Sequence, residues 1–464
     1  MPEISTQEKT ALIVVTTTSF LTPFMGSSIN LAIPAIGQEF TSSALHLGWI
    51  VTSYLLASAA LLLPLGRLAD IIGRKRIYVG GIFLFALFTL LCSVAHSINQ
   101  LIAFRVLQGL ASAMIFSTGM AILTSAYSPQ KRGKALGVTV AGTYLGLSLG
   151  PVLGGMLNHQ LGWRSIFYFT FALSIYAASL AALRLREDHT GDSGEKFDIP
   201  GSILYGIGLV AFLYGLSSVS SVAAAKYIGL LGLILIIMFI WYESKTEFPL
   251  INVQLFRHNT GFAFSNLAAM INYSATFAVG YLISLYLQVA VGYSSQTAGF
   301  IMLSQPVLMT LLSPLAGAFS DRIEPRIVAS WGMGLTTIGL FLFIFLGNST
   351  PIALIVTNLA FLGIGFALFS SPNNNAIMGS VAPHLYGVAS STLGTMRLVG
   401  QAVSMAIVTM VMALFMGNAS LHTSAPLLLK ASRVTFIIFT ITCLAGIFAS
   451  LARGNINRQK VHEN

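Results

Sequence analysis

Long apolar runs recur along this chain with hardly a charge inside them, and that pattern fixes its solvent before any other feature is weighed. A bilayer core about 30 Å thick takes roughly 20 mostly apolar residues per helix. Windows of that kind lie near 11–36, 45–66, 77–95, 99–126, 134–158, 164–184, 199–219, 224–243, 261–290, 295–318, 326–347, 350–378, 386–416 and 431–452. In hydrocarbon, backbone N–H and C=O groups have to be satisfied within the spanning structure itself. The residue-by-residue alternation of a membrane barrel is missing, so helices are the expected solution. The chain is read as an all-α membrane protein with fourteen transmembrane helices. Composition agrees: of 464 residues, 55% are hydrophobic and 8% charged, too few polar groups to coat a water-soluble fold of that size.

The basic residues orient the spans. Of 24 Lys and Arg, Arg164, Lys226, Lys430 and Arg433 fall on odd-numbered loops or their flanks, and Arg105 and Arg397 fall inside spans. The other eighteen lie on the opposite side, which places both termini in the cytoplasm. The same bias accounts for the net charge of +10 without nucleic acid as a partner. The first apolar run is too long for a signal-peptide core and is expected to remain as the first span. Cys92 and Cys443 sit in apolar stretches and read as packing residues.

The stretch 184–196 is the one long polar interruption and reads as a linker between two halves. Asp198 followed by Pro200 has the form of a helix cap and first turn, and takes no catalytic role. Gly66 to Asp70 at the end of the second span is echoed by Gly317 to Asp321 at the end of the tenth, an offset of 251 residues. That exceeds a six-helix half by about two spans. The expected organisation is a six-helix bundle over 1–185, a linker with inserted seventh and eighth helices over 186–250, and a second six-helix bundle with a cytoplasmic tail over 251–464.

Four motifs resemble the major facilitator superfamily. Gly66-Arg67-Leu68-Ala69-Asp70-Ile71-Ile72-Gly73-Arg74-Lys75-Arg76 resembles its signature loop between the second and third helices. In that reading Asp70, Arg74 and Gly66 belong to a cytoplasmic latch, with Asp321 as the counterpart in the second half. A basic topogenic loop is the plainer alternative. Leu101, Arg105, Gln108, Gly109 and Ala113 resemble the signature of the fourth helix, which implies a coupling role for Arg105; snorkelling to the near interface is the alternative. Gly142, Gly146, Gly150 and Gly154 repeat every four residues with Pro151 among them, similar to the fifth-helix signature of antiporter branches. A smooth packing stripe bent at a proline explains the same pattern without transport direction. With Met25 to Pro34 in the first span and Thr395 to Gln401 in the thirteenth, the likeness extends to the fourteen-span drug:proton antiporter branch. The resemblance implies export of drug-like or amphiphilic small molecules by rocking of two bundles around a midplane site, in exchange for protons. Met25 stands where that branch commonly has an aspartate.

None of the fourteen acidic residues falls near a bilayer midplane, and His46, His96, His159, His189, His258, His384, His422 and His462 all read as surface residues. If protons drive transport, Asp70 or a substrate carboxylate has to titrate. Polar and aromatic residues at mid-depth that could line a cavity are Asn30, Tyr54, Gln108, Tyr144, Asn266, Asn272, Tyr281, Gln305, Asn374 and Arg397, although each could equally join helices. Arg397 needs a partner, water or an anionic ligand, which favours anionic or neutral amphiphiles over organic cations. No phosphate-cradling loop, Cys/His cluster or intramembrane carboxylate pair is readable, so no cofactor, no metal and no enzyme activity are expected. Other readings kept open are export of an endogenous metabolite or lipid, and a non-transporting sensor or scaffold. The expected partners are small-molecule substrate, protons and membrane lipid. The expected setting is a monomer in the plasma membrane, or the cell membrane of a prokaryote.

Overall fold

The computed structural model describes residues 6–185, 197–382, 385–417, 419 and 425–454. Residues 186–196 of the polar linker, His189, His384, His422 and His462 lie outside the described residues. Among the described residues fourteen helices are long and apolar enough to cross a membrane, from Gln7–Glu39 to Ala425–Ala452. They follow the expected windows, extended by a few residues at several ends. Every described carboxylate lies beyond a span or within about a turn of its end, Glu8, Glu39 and Glu243 included.

The chain forms two compact units. One comprises Met1–Ser42, His46–Gly215 and Tyr227–Leu250; the other comprises Ser43–Leu45, Leu216–Lys226 and Ile251–Asn464. Within the first, the first span packs on the fifth and sixth, and the third on the fourth and sixth. The second repeats these pairings: the ninth span packs on the thirteenth and fourteenth, and the eleventh on the twelfth and fourteenth. This is the two-bundle architecture with a two-helix insert anticipated from the 251-residue repeat.

Small residues make the packing possible, because in lipid helices associate through close backbone contact rather than expulsion of water. A Cβ on Gly142 would meet Thr16 O at 3.1 Å, one on Gly146 would meet Phe24 N at 3.1 Å, and one on Gly154 would meet Ser28 Cβ at 2.6 Å. In the second unit a Cβ on Gly400 would meet Met270 O at 2.5 Å, and one on Gly332 would meet Gly365 O at 2.6 Å.

Two spans expected to be continuous are broken. The tenth divides into Ser295–Met302 and Ser304–Arg322. Pro306 lacks the N–H that would bond Met302 and its ring crowds that carbonyl, so the helix yields at Leu303. The ninth pauses at Phe277 and Ala278, resumes over Val279–Leu285 and ends in a π-helical turn, Tyr286–Ala290. At the pause Ala278 N–H donates to Ser404 Oγ of the thirteenth span at 3.1 Å, so the interruption leaves that donor satisfied.

Candidate functional site

Arg105 is the centre of the most developed polar cluster in the first unit. It is fully buried, so the snorkelling alternative does not hold: the side chain turns inward. Its Nε donates to Ile50 O of the second span at 3.0 Å, and its Nη1 to Gln108 Oε1 at 2.5 Å. Gln108 Nε2 then donates to Thr89 Oγ1 of the third span at 2.6 Å. The guanidinium stacks 4.2 Å from the Tyr54 ring centroid, while Tyr54 OH and Ser112 Oγ lie 2.7 Å apart. Neutral acceptors and a π face thus hold this cation. Gly109 makes the arrangement possible, because an added Cβ would run into Tyr54 O and come within 3.0 Å of Ala57 Cβ. Three of the residues singled out from sequence, Tyr54, Arg105 and Gln108, are brought together here.

At the signature loop Asp70 accepts from Arg74 Nε at 2.8 Å, one helical turn away, with both side chains about 40% exposed. Gly66 is not the tight contact its motif position suggests, since an added Cβ would sit 3.5 Å from Ser117 Cβ, an ordinary distance. Gly73 has the stricter requirement: its φ of 111° separates the second and third spans in a conformation that L side chains rarely adopt. Asp321 lies in the tenth-span helix, and its side chain falls outside the described residues.

The fifth-span stripe faces the first span. Gly150 O accepts from Ser28 Oγ at 2.9 Å, and Pro151 is buried beside it. Met25 is completely buried, and Thr170 Oγ1 of the sixth span lies 3.6 Å from its sulfur, so position 25 is a packing position in this unit.

The remaining cavity candidates divide by exposure. Asn30, Asn266, Asn272 and Tyr281 are more than nine-tenths buried. Asn266 Nδ2 bonds Phe262 O of its own helix at 2.9 Å, and Asn272 has no hydrogen-bond partner for either amide atom. Tyr144, Gln305 and Arg397 are half-buried, and Asn374 is exposed. Arg397 is the twelfth residue of Tyr386–Met416, about 16 Å from its start at 1.5 Å per residue. Its guanidinium lies 6.0 Å from the Tyr273 ring centroid, and Tyr273 packs edge-on against Phe366 at 5.5 Å.

Sequence reasoning missed several polar centres. Arg453, taken as a loop cation, is 1% exposed: its Nη1 donates to Asn373 Oδ1 at 3.0 Å and its Nε to Ser450 O at 2.7 Å. Burial pushes its pKa down to about 10, opposed by the charge of Glu324. At the other ends of the first unit's spans, Glu39 Oε2 accepts from Trp163 Nε1 and Arg164 Nη1, each at 2.7 Å, and Arg164 Nη2 bonds Ala95 O at 3.1 Å. At the Glu8 end, Tyr127 OH donates to Glu8 O at 2.9 Å, and burial followed by the Glu8 charge raises the phenol pKa. A small recess between the first and fourth spans, about 40 Å³, is lined by Thr18, Ser19, Phe116 and Met120 among others. Burial depends on partners far away in sequence, and no local signal marked these residues.

Fourteen candidate spans among the described residues, in two similarly paired units with buried polar clusters, define a multi-pass membrane protein. The profile described as Major Facilitator Superfamily matches residues 15–266 and 265–462, and the chain belongs to that family. It is a transporter rather than an enzyme. It is 30% identical over 448 residues to the riboflavin transporter RibZ of Clostridioides difficile, covering 96% of this chain and 97% of that one. It is 29% identical over 396 residues to the multidrug resistance protein Stp of Mycobacterium tuberculosis, covering 83% and 72%. Among solved structures, a bacterial homolog of the human lysosomal transporter Spinster aligns at a TM-score of 0.71 with 16% identity, covering 97% of each chain, a likeness of fold.

Proposed function

We propose that this chain exports drug-like or amphiphilic small molecules by alternating access, in exchange for protons. In this reading it works as a monomer in the plasma membrane, or the cell membrane of a prokaryote, with both termini cytoplasmic. Residues 1–185 and 251–464 are the moving bundles and 186–250 the linker and insert. Asp70, Arg74 and Asp321 act at the cytoplasmic gate, Arg105 in coupling, and Gly146, Gly150, Gly154 and Pro151 as the sliding face of the fifth span.

Arg397 is the observation that carries the reading. It is a half-buried cation at mid-span, beside Tyr273 and Phe366, in a chain whose described carboxylates all lie at or beyond span ends. A cation in that position calls for an anion, water or an aromatic face, and repels a cationic ligand. Neutral and anionic amphiphiles with an aromatic portion are therefore the favoured substrates. Similarity to the riboflavin transporter over nearly the whole chain supports a second reading, in which the cargo is a flat aromatic metabolite and drug export is incidental.

Flux of a fluorescent anionic amphiphile and of riboflavin from proteoliposomes, with and without an imposed pH gradient, tests both readings. Wild type is expected to show gradient-driven flux that Arg397→Ala abolishes and Asp70→Asn uncouples from pH. Flux indifferent to the gradient would remove proton exchange, and preference for a cationic dye would remove the role of Arg397.

A further inference from the structure

Asn266 and Tyr273 sit seven residues apart in the helix Thr260–Thr276, so two turns bring them onto one face. The thirteenth span packs on that face: a Cβ on Gly400 would meet Met270 O at 2.5 Å, Tyr273 Cβ at 2.9 Å and Ser274 N at 3.2 Å. Four residues on, Ser404 Oγ accepts from Ala278 N–H, so the ninth and thirteenth spans run parallel. Arg397 comes three residues before Gly400, which sets its Cα about 4.5 Å toward the starts of both helices. That level falls between Asn266 and Tyr273. The Arg397 guanidinium turns to the Tyr273 ring, 6.0 Å from its centroid.

Asn266 is fully buried, and only one end of its amide is matched. Nδ2 donates to Phe262 O at 2.9 Å. A carbonyl only accepts, so this bond fixes which end of the amide is the nitrogen. Oδ1 has no hydrogen-bond partner. A buried acceptor without a donor is costly, and a leucine would fill the same space without that cost. In the first unit the same residue types are matched: Arg105 Nη1 donates to the amide oxygen of Gln108, and the guanidinium stacks 4.2 Å from the Tyr54 centroid. In the second unit the guanidinium stands farther from its ring, and the amide oxygen on that face is left without a donor.

We infer that Asn266 Oδ1 accepts an N–H of the cargo while Arg397 holds a neighbouring carbonyl or anionic oxygen. The site then takes planar molecules with an imide or lactam edge ahead of amphiphiles that carry only a negative group. This rests on the reading that Arg397 faces the cargo, and adds a second requirement to it. A guanidinium supplies donors alone and this amide oxygen an acceptor alone, so only a ligand with both complementary groups satisfies the two together. The levels of Asn266 and Arg397 differ by about 4.5 Å, a gap that their side chains can close over one small polar edge. A carboxylate or sulfonate set against Arg397 would leave Oδ1 unmatched.

The test is equilibrium binding of riboflavin, and of its derivative methylated on the imide nitrogen, to the purified full-length chain, read by flavin fluorescence. The two probes differ only in that a methyl replaces the imide N–H. Wild type is expected to bind riboflavin about tenfold more tightly, the worth of one hydrogen bond. Asn266→Leu keeps the shape of the side chain without its acceptor, and is expected to bring that ratio to about one by weakening riboflavin. Arg397→Ala is expected to weaken both probes equally and preserve the ratio. A wild type that binds both alike, or an Asn266→Leu variant that keeps the wild-type preference, overturns the role of Asn266 and leaves the export reading standing. Binding of the anionic amphiphile of the flux assay with neither flavin bound does the same. Flavin binding unchanged by Arg397→Ala instead removes the reading of Arg397 on which the site rests. Thermal melts check that each variant is folded; where Asn266→Leu is not, Asn266→Ala takes its place with the same expected ratio.

Discussion

The Arg105 cluster makes a quantitative claim about how a membrane helix bundle keeps a cation without a carboxylate. Consider Arg105→Met, Gln108→Leu and the double variant. Arg105 gives one hydrogen bond to Ile50 O, one to Gln108 and a stacking contact to Tyr54. Hydrogen bonds to a charged group are worth about 1.5–3 kcal/mol each, and a stranded buried acceptor costs about 1–3 kcal/mol. Replacing Arg105 strands Gln108 Oε1, while Ile50 O keeps its place in the helix ladder, and it also removes the cost of burying a cation. Replacing Gln108 leaves that cation in place without its acceptor and cuts the link to Thr89, so Gln108→Leu is expected to be the more damaging single change. The double variant has neither the stranded amide nor the uncompensated charge. Unfolding free energies in mixed micelles should therefore give a coupling energy of about 1.5–3 kcal/mol between the two positions, well above the roughly 0.6 kcal/mol average for hydrogen bonds between membrane helices. Effects that add within about 0.5 kcal/mol, or an Arg105→Met variant worse than Gln108→Leu, would refute the description of this site as a cation held by neutral groups.

Three further outcomes follow from the packing. Gly154→Ala would drive a methyl to 2.6 Å from Ser28 Cβ and 2.8 Å from Ser28 Cα, so a loss of about 1–3 kcal/mol is expected, read as a lower melting temperature. Met25→Asp is expected to destabilise rather than install proton coupling, because the position is fully buried. Its folded carboxyl would titrate above the ordinary value near 4, so stability should fall further as pH rises through that higher value; a variant as stable as wild type at pH 8 contradicts this. Arg164→Gln breaks the pair with Glu39, but the two side chains are 32% and 41% exposed, so solvent screening limits the expected loss to about 1 kcal/mol or less, measurable by the same melts.

What could be read in the sequence and what could not divide along a physical line. Spans were legible because their length and apolarity answer to the bilayer, a property of each segment alone. Even there, the break at Leu303 could have been inferred from Pro306, whereas the pause at Ala278 depends on Ser404, 126 residues away. The signature loop was legible as a motif, but the geometry reassigns the demanding glycine from Gly66 to Gly73, since φ is a backbone property that a motif position does not reveal. Arg105 was recognisable as an anomalous charge, yet two of its partners, Ile50 and Tyr54, come from another helix, and only the packed bundle distinguishes an inward cation from a snorkelling one. Asp198 and Glu243 were the least legible. Each lies at a helix end, where an acid is expected, and their proximity shows only in the fold, where a Cβ added to Gly201 would strike an oxygen of both. In a chain so poor in charge, the informative polar residues are those whose burial is created by helix pairing. A charge count places Arg105 inside a span but leaves Arg453, Asp198 and Glu243 with the loops, and only the packing separates the solvated from the enclosed.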